Sequence, residues 1–129
     1  TLMNWIRRVT VAIGFVVAVL TAPPADAARR VALIIGASHY QHIPSLTNPA
    51  NDADDMAALL GRLGFEIIRR NDPDLRELAE GVRAFAASLA GADIALFYFA
   101  GHGLQVGDRN FLVPRDADIQ QPFDVPLRT

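Results

Sequence analysis

The sequence predicts an α/β fold: a mainly parallel sheet with helices against its faces. Three observations predict it. Two unbroken apolar runs, Arg30–Ile35 (RVALII) and Ile94–Ala100 (IALFYFA), have the composition of strands buried in a parallel sheet. Two segments between them repeat apolar residues at helical spacing. The resulting order, strand, helix, strand, helix, strand, is that of parallel strands joined by helical crossovers.

Taken in order, the chain begins with a leader. Arg7 and Arg8 give it a positive start, Val9 to Leu20 is apolar, and small residues Ala25 and Ala27 follow Pro23 and Pro24. This is the layout of a secretory signal peptide over residues 1–27, with cleavage expected after Ala27. The apolar run is short of the roughly 20 residues of a membrane span. We therefore expect an exported domain, periplasmic or extracellular, with no stable span after cleavage; an uncleaved N-terminal anchor is the alternative. The domain itself is expected over residues 28–118, and residues 119–129 as the start of a linker or continuation.

Arg30 to Ile35 is the first strand, ended by Gly36. A loop with Pro44 and Pro49 follows. Asn48 is expected to cap a helix with Pro49 in its first turn. Ala53, Met56, Ala57, Leu60 and Leu63 share one face of that helix, and Gly64 stops it. Asp52, Asp54 and Asp55 fall in its early turns, where carboxylates suit the positive end of the helix dipole. Phe65–Arg70 is a shorter strand, near an edge because its end is charged. Asn71 to Asp74 is a turn, with Asp74 as the next cap. Leu75, Leu78, Ala79, Val82, Phe85, Ala86 and Leu89 then form one apolar helical face, closed by Gly91. Ile94–Ala100 follows, expected to be buried on both faces. After Gly101-His102-Gly103 come a turn at Gly107-Asp108, a short strand Asn110–Val113 and a loop.

Composition narrows the chemistry. The 129 residues carry a formal charge of −2, and their basic residues, all arginine, are dispersed, so no nucleic-acid-binding patch is expected. No cysteine is present, which removes disulfides, thiolate metal sites and any thiol nucleophile within these residues. A Walker loop needs lysine, and there is none. The turn Gly36-Ala37-Ser38-His39 lacks G-x-G-x-x-G, and no G-x-S-x-G exists. His39 and His42 would need a third ligand to hold zinc, so neither a metal nor another cofactor is expected. Ser38 beside His39 reads as a polar loop.

His102 stands out because it follows a core strand at the carboxyl edge of the sheet, where α/β proteins bind ligands. An imidazole, whose unperturbed pKa is about 6.5, is the side chain type suited to general acid–base work. The Gly103 N–H, with no side chain in the way, could donate to a developing oxyanion. The residues alone leave a second possibility, a polar turn histidine satisfied by a neighbouring carbonyl.

Three segments together, RVALIIGASHYQHIPSLTNPANDADDMAALLGRLGFEI, ALFYFAGHGLQ and NFLVPRDAD, resemble the large-subunit half of caspase-like cysteine peptidases. The similarity is greatest to bacterial caspase-family proteins, metacaspases and paracaspases, and spans Arg29 to Asp118. It implies a three-layer α/β/α fold and a Cys–His dyad endopeptidase acting on proteins or peptides. His102 matches the catalytic histidine and Gly103 the oxyanion donor. Asp52 matches the aspartate that lines the pocket for a basic P1 side chain, which implies cleavage after Arg or Lys. The family's cysteine lies on a later strand, beyond Thr129. Two expectations follow: a fragment of a longer protease, or a caspase-like pseudoenzyme or peptide-binding module. An unrelated flavodoxin-like binder, with phosphate at the Gly36 loop, is the third. Oligomeric state is left open.

Overall fold

A computed structural model describes residues 27–120; the expected leader and the continuation from 121 onward lie outside them. The described residues form β1 (Arg30–Gly36), α1 (Pro49–Arg62), β2 (Phe65–Asn71), α2 (Leu75–Ser88), β3 (Ile94–Ala100), β4 (Gly103–Val106) and β5 (Arg109–Leu112). The first three strands make a parallel sheet in the order β2-β1-β3. Within it Gly36 is level with Asn71 on one side and Ala100 on the other. The carboxyl ends of all three strands therefore lie on one edge. β4 and β5 form a separate antiparallel hairpin.

The layering follows from the alternation of side chains along β1. Ala32 and Ile34 pack with Ala53 and Leu60 of α1. Leu33 and Ile35 face the other way and pack with Leu78 of α2. One helix thus covers each face, giving three layers. Val31, Leu33, Ile34 and Ile35 are fully buried, and each contributes about 1.5–3 kcal/mol of hydrophobic stabilisation.

The centre of the sheet is β1, not β3. We expected β3 to be buried on both faces, but Ile94 and Phe97 are 44% and 47% exposed. The reason is topological. β3 flanks β1 at one edge, and α2 packs chiefly on β1 and β2. α1 does reach β3, and there Leu96 and Tyr98 join its core. An apolar run reports capacity for burial, not which of its faces is covered.

The helix stops match expectation: Gly64 and Gly91 adopt φ +81° and +74°, a region costly for residues with a Cβ. Asp74 caps α2 in a reciprocal box with Glu77, its carboxylate accepting the Glu77 N–H at 2.7 Å. Asn48 does not cap α1: its backbone is helical and its side chain makes no capping bond. Ser38, at the start of the same loop, does this instead, its Oγ accepting the Ala50 N–H at 2.9 Å. Leu63, Val82 and Leu89 lie at 51%, 46% and 40% exposure rather than in the core. Leu78 and Gly81 are the residues of α2 that are buried. Arg29 anchors the far end of α2, donating to the carbonyls of Ser88 and Ala90 (both 2.8 Å) while forking onto Glu66.

Candidate active site

The site is built on the carboxyl edge of the sheet. β3 ends at Ala100, and Gly101-His102-Gly103 turns the chain into the β4–β5 hairpin, which the sequence reading had given only one short strand. The hairpin turn falls at Gly107, as expected, with φ +64°. The Val113 N–H donates to the His102 carbonyl at 3.1 Å, tying the return strand to the histidine.

His102 is held from two sides by the β1–α1 loop. The Tyr40 hydroxyl accepts the His102 backbone N–H at 2.8 Å, and the two rings stand 4.9 Å apart at 57°. The imidazole Nε2 lies 3.0 Å from the Pro44 carbonyl oxygen. A carbonyl only accepts, so this bond requires the proton on Nε2. Nδ1 is then the basic nitrogen, and it has no hydrogen-bond partner among the described residues. A histidine satisfied by a carbonyl and a histidine available for proton transfer are thus compatible: one nitrogen does each.

His102 and Gly103 line a hollow of about 210 Å³ with Ile43, Leu104, Val113 and Ile119. A larger hollow, about 670 Å³, lies at the opposite edge of the sheet, beside Arg29, Glu66 and Asp93. The two glycines flanking His102 have different reasons. A Cβ on Gly101 would fall 2.7 Å from Tyr40 Oη and 2.9 Å from Phe99 Cζ. A Cβ on Gly103 would meet only the Phe111 carbonyl, at an ordinary 3.6 Å. Packing therefore demands Gly101 and does not demand Gly103.

Asp52 sits exposed in the first turn of α1. That turn adjoins the same sheet edge, because a Cβ on Gly36 would fall 2.8 Å from both Ala53 Cβ and the Pro49 carbonyl. Asp52 and His102 share this edge without touching, and among the described residues the Asp52 carboxylate has no hydrogen-bond partner. Asp54, read with it as a solvated helix-dipole charge, instead pairs with Arg69 at 2.9 Å.

Three further residues escaped the sequence reading. Ser38 is 2% exposed, and its hydroxyl caps α1. Tyr40 is 9% exposed and packs on His102. Burial pushes its hydroxyl pKa up, opposed by the His102 N–H and aided by the Asp72 charge. Asp72, read as a turn residue, accepts from the N–H groups of Ser38 (2.6 Å) and His39 (2.9 Å) and meets His39 Nδ1 at 2.8 Å. Burial alone would raise its pKa; these bonds and the His39 charge outweigh that and lower it. His39 is thus engaged by Asp72. Local sequence held no signal for these contacts except that Asn71-Asp72-Pro73 is turn-forming.

Comparison with known proteins agrees with this architecture. The chain is 34% identical to human mucosa-associated lymphoid tissue lymphoma translocation protein 1 over 88 residues, and equally to its mouse homolog. The match covers 68% of this chain but only 11% of each relative, so the chain spans about a tenth of the length of the proteins it resembles. The caspase domain profile matches residues 29–126, which include both sheet and hairpin. With a three-layer parallel sheet and a histidine at its carboxyl edge, this chain belongs to the caspase domain family of peptidases.

Proposed function

We propose that these residues form the histidine-bearing part of a cysteine endopeptidase that cleaves after Arg or Lys. The observation that carries the reading is the His102 ring: Nε2 is bonded to the Pro44 carbonyl at 3.0 Å, and Nδ1 has no partner among the described residues. The 129 residues hold no cysteine, so the thiol comes from a residue outside them. In that reaction the thiol gives its proton to His102 Nδ1, and the imidazolium stabilises the thiolate. The sulfur attacks the scissile carbonyl carbon, and the Gly103 N–H donates to the tetrahedral oxyanion. His102 returns the proton to the leaving amine as the C–N bond breaks. Water, deprotonated by His102, then hydrolyses the thioester and regenerates the thiol. The Asp52 carboxylate at the same edge, unpaired among the described residues, would favour a cationic P1 side chain over an anionic one. The charged–apolar–small order of residues 3–27 supports an exported location, which fractionation of the tagged protein tests.

The test uses the full-length product of the gene that encodes these residues, assayed on peptides with Arg, Lys or Asp at P1. His102→Ala should lower kcat by about 10²–10⁴-fold or more with the fold intact. Asp52→Asn should lower kcat/KM for the arginyl peptide by about 10–100-fold, the scale of a lost charge-assisted bond. Unchanged turnover in His102→Ala would exclude the mechanism. The lack of cysteine supports a second reading, a caspase-like module that binds peptides without cutting them. A full-length product that binds arginyl peptides, lacks any cysteine and shows no turnover would favour it.

A further inference from the structure

The Tyr40 and Pro44 contacts to His102 come from one loop, which is anchored by a carboxylate just past β2 as well as by backbone bonds from Leu46 to Ser38 and from Gln41 to Arg115. Asp72, just past β2, has φ +44°, the only non-glycine residue among those described with a left-handed backbone. Such a conformation costs about 1–3 kcal/mol and persists where surrounding bonds enforce it. Here it turns the carboxylate under the β1–α1 loop to collect the N–H groups of Ser38 and His39 and the His39 ring. Two anchors in consecutive residues fix where the chain goes next. Next is Tyr40, whose hydroxyl takes the His102 N–H and whose ring lies against the imidazole. Four residues later the same loop delivers the Pro44 carbonyl to Nε2. At the other end, Gly101 leaves the space that Tyr40 Oη occupies.

We propose that Asp72 is a positioning residue for the His102 imidazole, acting through the loop that carries Tyr40 and Pro44. It touches neither His102 nor a substrate. It decides whether the ring is held in one orientation with its proton on Nε2. The consequence for catalysis rests on the proposed peptidase reading; the orientation of the ring does not.

The test is NMR on the histidine-labelled full-length protein, followed through His39, His42 and His102. Three variants are compared: Asp72→Ala, Asp72→Asn and Tyr40→Phe. Glu77→Ala serves as a control, because its side chain completes the α2 capping box on the Asp74 N–H and makes no bond to the loop or to Arg115. In Asp72→Ala, solvent exchange of the His102 Nε2–H should rise about tenfold, and its ring protons should lose the shift imposed by the Tyr40 ring. Asp72→Asn keeps an acceptor oxygen and should restore part of both signals. Tyr40→Phe should move the His102 backbone amide while keeping the ring shift. If Asp72→Ala does not fold, the Asp72→Asn and Tyr40→Phe spectra decide. The proposal is overturned if His102 signals stay at wild-type values in the Asp72 variants while His39 signals move, or if Glu77→Ala moves them as much. These readouts need no turnover, so they fail or succeed independently of the peptidase assay. In an active protein, Asp72→Asn should lower kcat with little change in KM.

Discussion

The Pro44 carbonyl oxygen lies 3.0 Å from Nε2 of His102, across 58 positions of sequence. That one bond assigns the ring its tautomer. Nitrogen-15 shifts of the neutral ring should show a protonated Nε2 and a pyridine-like Nδ1. A neutral ring with its proton on Nδ1 would remove the base from the place the mechanism needs it.

Asp72 makes stability depend on acid in a defined direction. Its folded pKa is lowered: burial opposes ionisation, but the bonds from His39 and Ser38 and the His39 charge prevail. The unfolded state therefore takes up the proton first as pH falls. The stability contributed is complete above the ordinary value of 3.8 and is lost as pH drops through the lower folded value. Asp72→Asn should cost about 1–3 kcal/mol at neutral pH, and the gap to wild type should close in acid. Urea melts at a series of pH values measure this; a gap that widens in acid contradicts the assignment.

Tyr40 carries the opposite dependence. Burial is the main cause of its raised pKa, so its neutral form is favoured in the folded state. Its contribution is complete below the ordinary value of 10.0 and is lost as pH rises through the higher folded value. Of the two tyrosines in the chain, Tyr40 should appear in a phenolate absorbance titration as a component above pH 10 that Tyr40→Phe removes. A phenolate component at or below 10 that disappears in Tyr40→Phe would refute it.

The glycines beside His102 should respond differently to the same methyl group. Gly101→Ala must displace Tyr40 Oη or the Phe99 ring and should cost about 1–3 kcal/mol by overpacking. Gly103→Ala meets only an ordinary contact and should stay within about 0.5 kcal/mol. Thermal melts distinguish them; equal losses would mean that the Tyr40–Gly101 fit is not what holds the turn.

Ser38→Ala should destabilise by about 1 kcal/mol, because the Ala50 N–H then loses its buried acceptor. Asn48→Ala should be near neutral, since that side chain makes no capping bond. Denaturant midpoints of the two variants settle which residue caps α1.

Legibility in the sequence followed the range of the interaction. Strand and helix positions were readable because apolar spacing and Gly stops act within a few residues. The Asp74 cap was readable for the same reason, with donor and acceptor three positions apart. Ser38 was not, because its partner is twelve residues away across a loop. His102 could be singled out by its place after β3, but Tyr40, Pro44 and Asp72 could not be joined to it. Leu63, Val82 and Leu89 show the converse error: helical spacing marked an apolar stripe wider than the surface the neighbouring strands cover.

By itself the sequence determined a parallel α/β sheet and a histidine at its carboxyl edge, because hydrophobic periodicity and turn chemistry are local. Only the tertiary structure decided that β1 is the centre, that the hairpin follows His102, and that Asp72, Tyr40 and Pro44 converge on one imidazole. Those outcomes depend on which strands lie side by side. Register brings Gly36, Asn71 and Ala100 level, and hydrogen bonds a few ångströms long can then join residues that the chain keeps far apart.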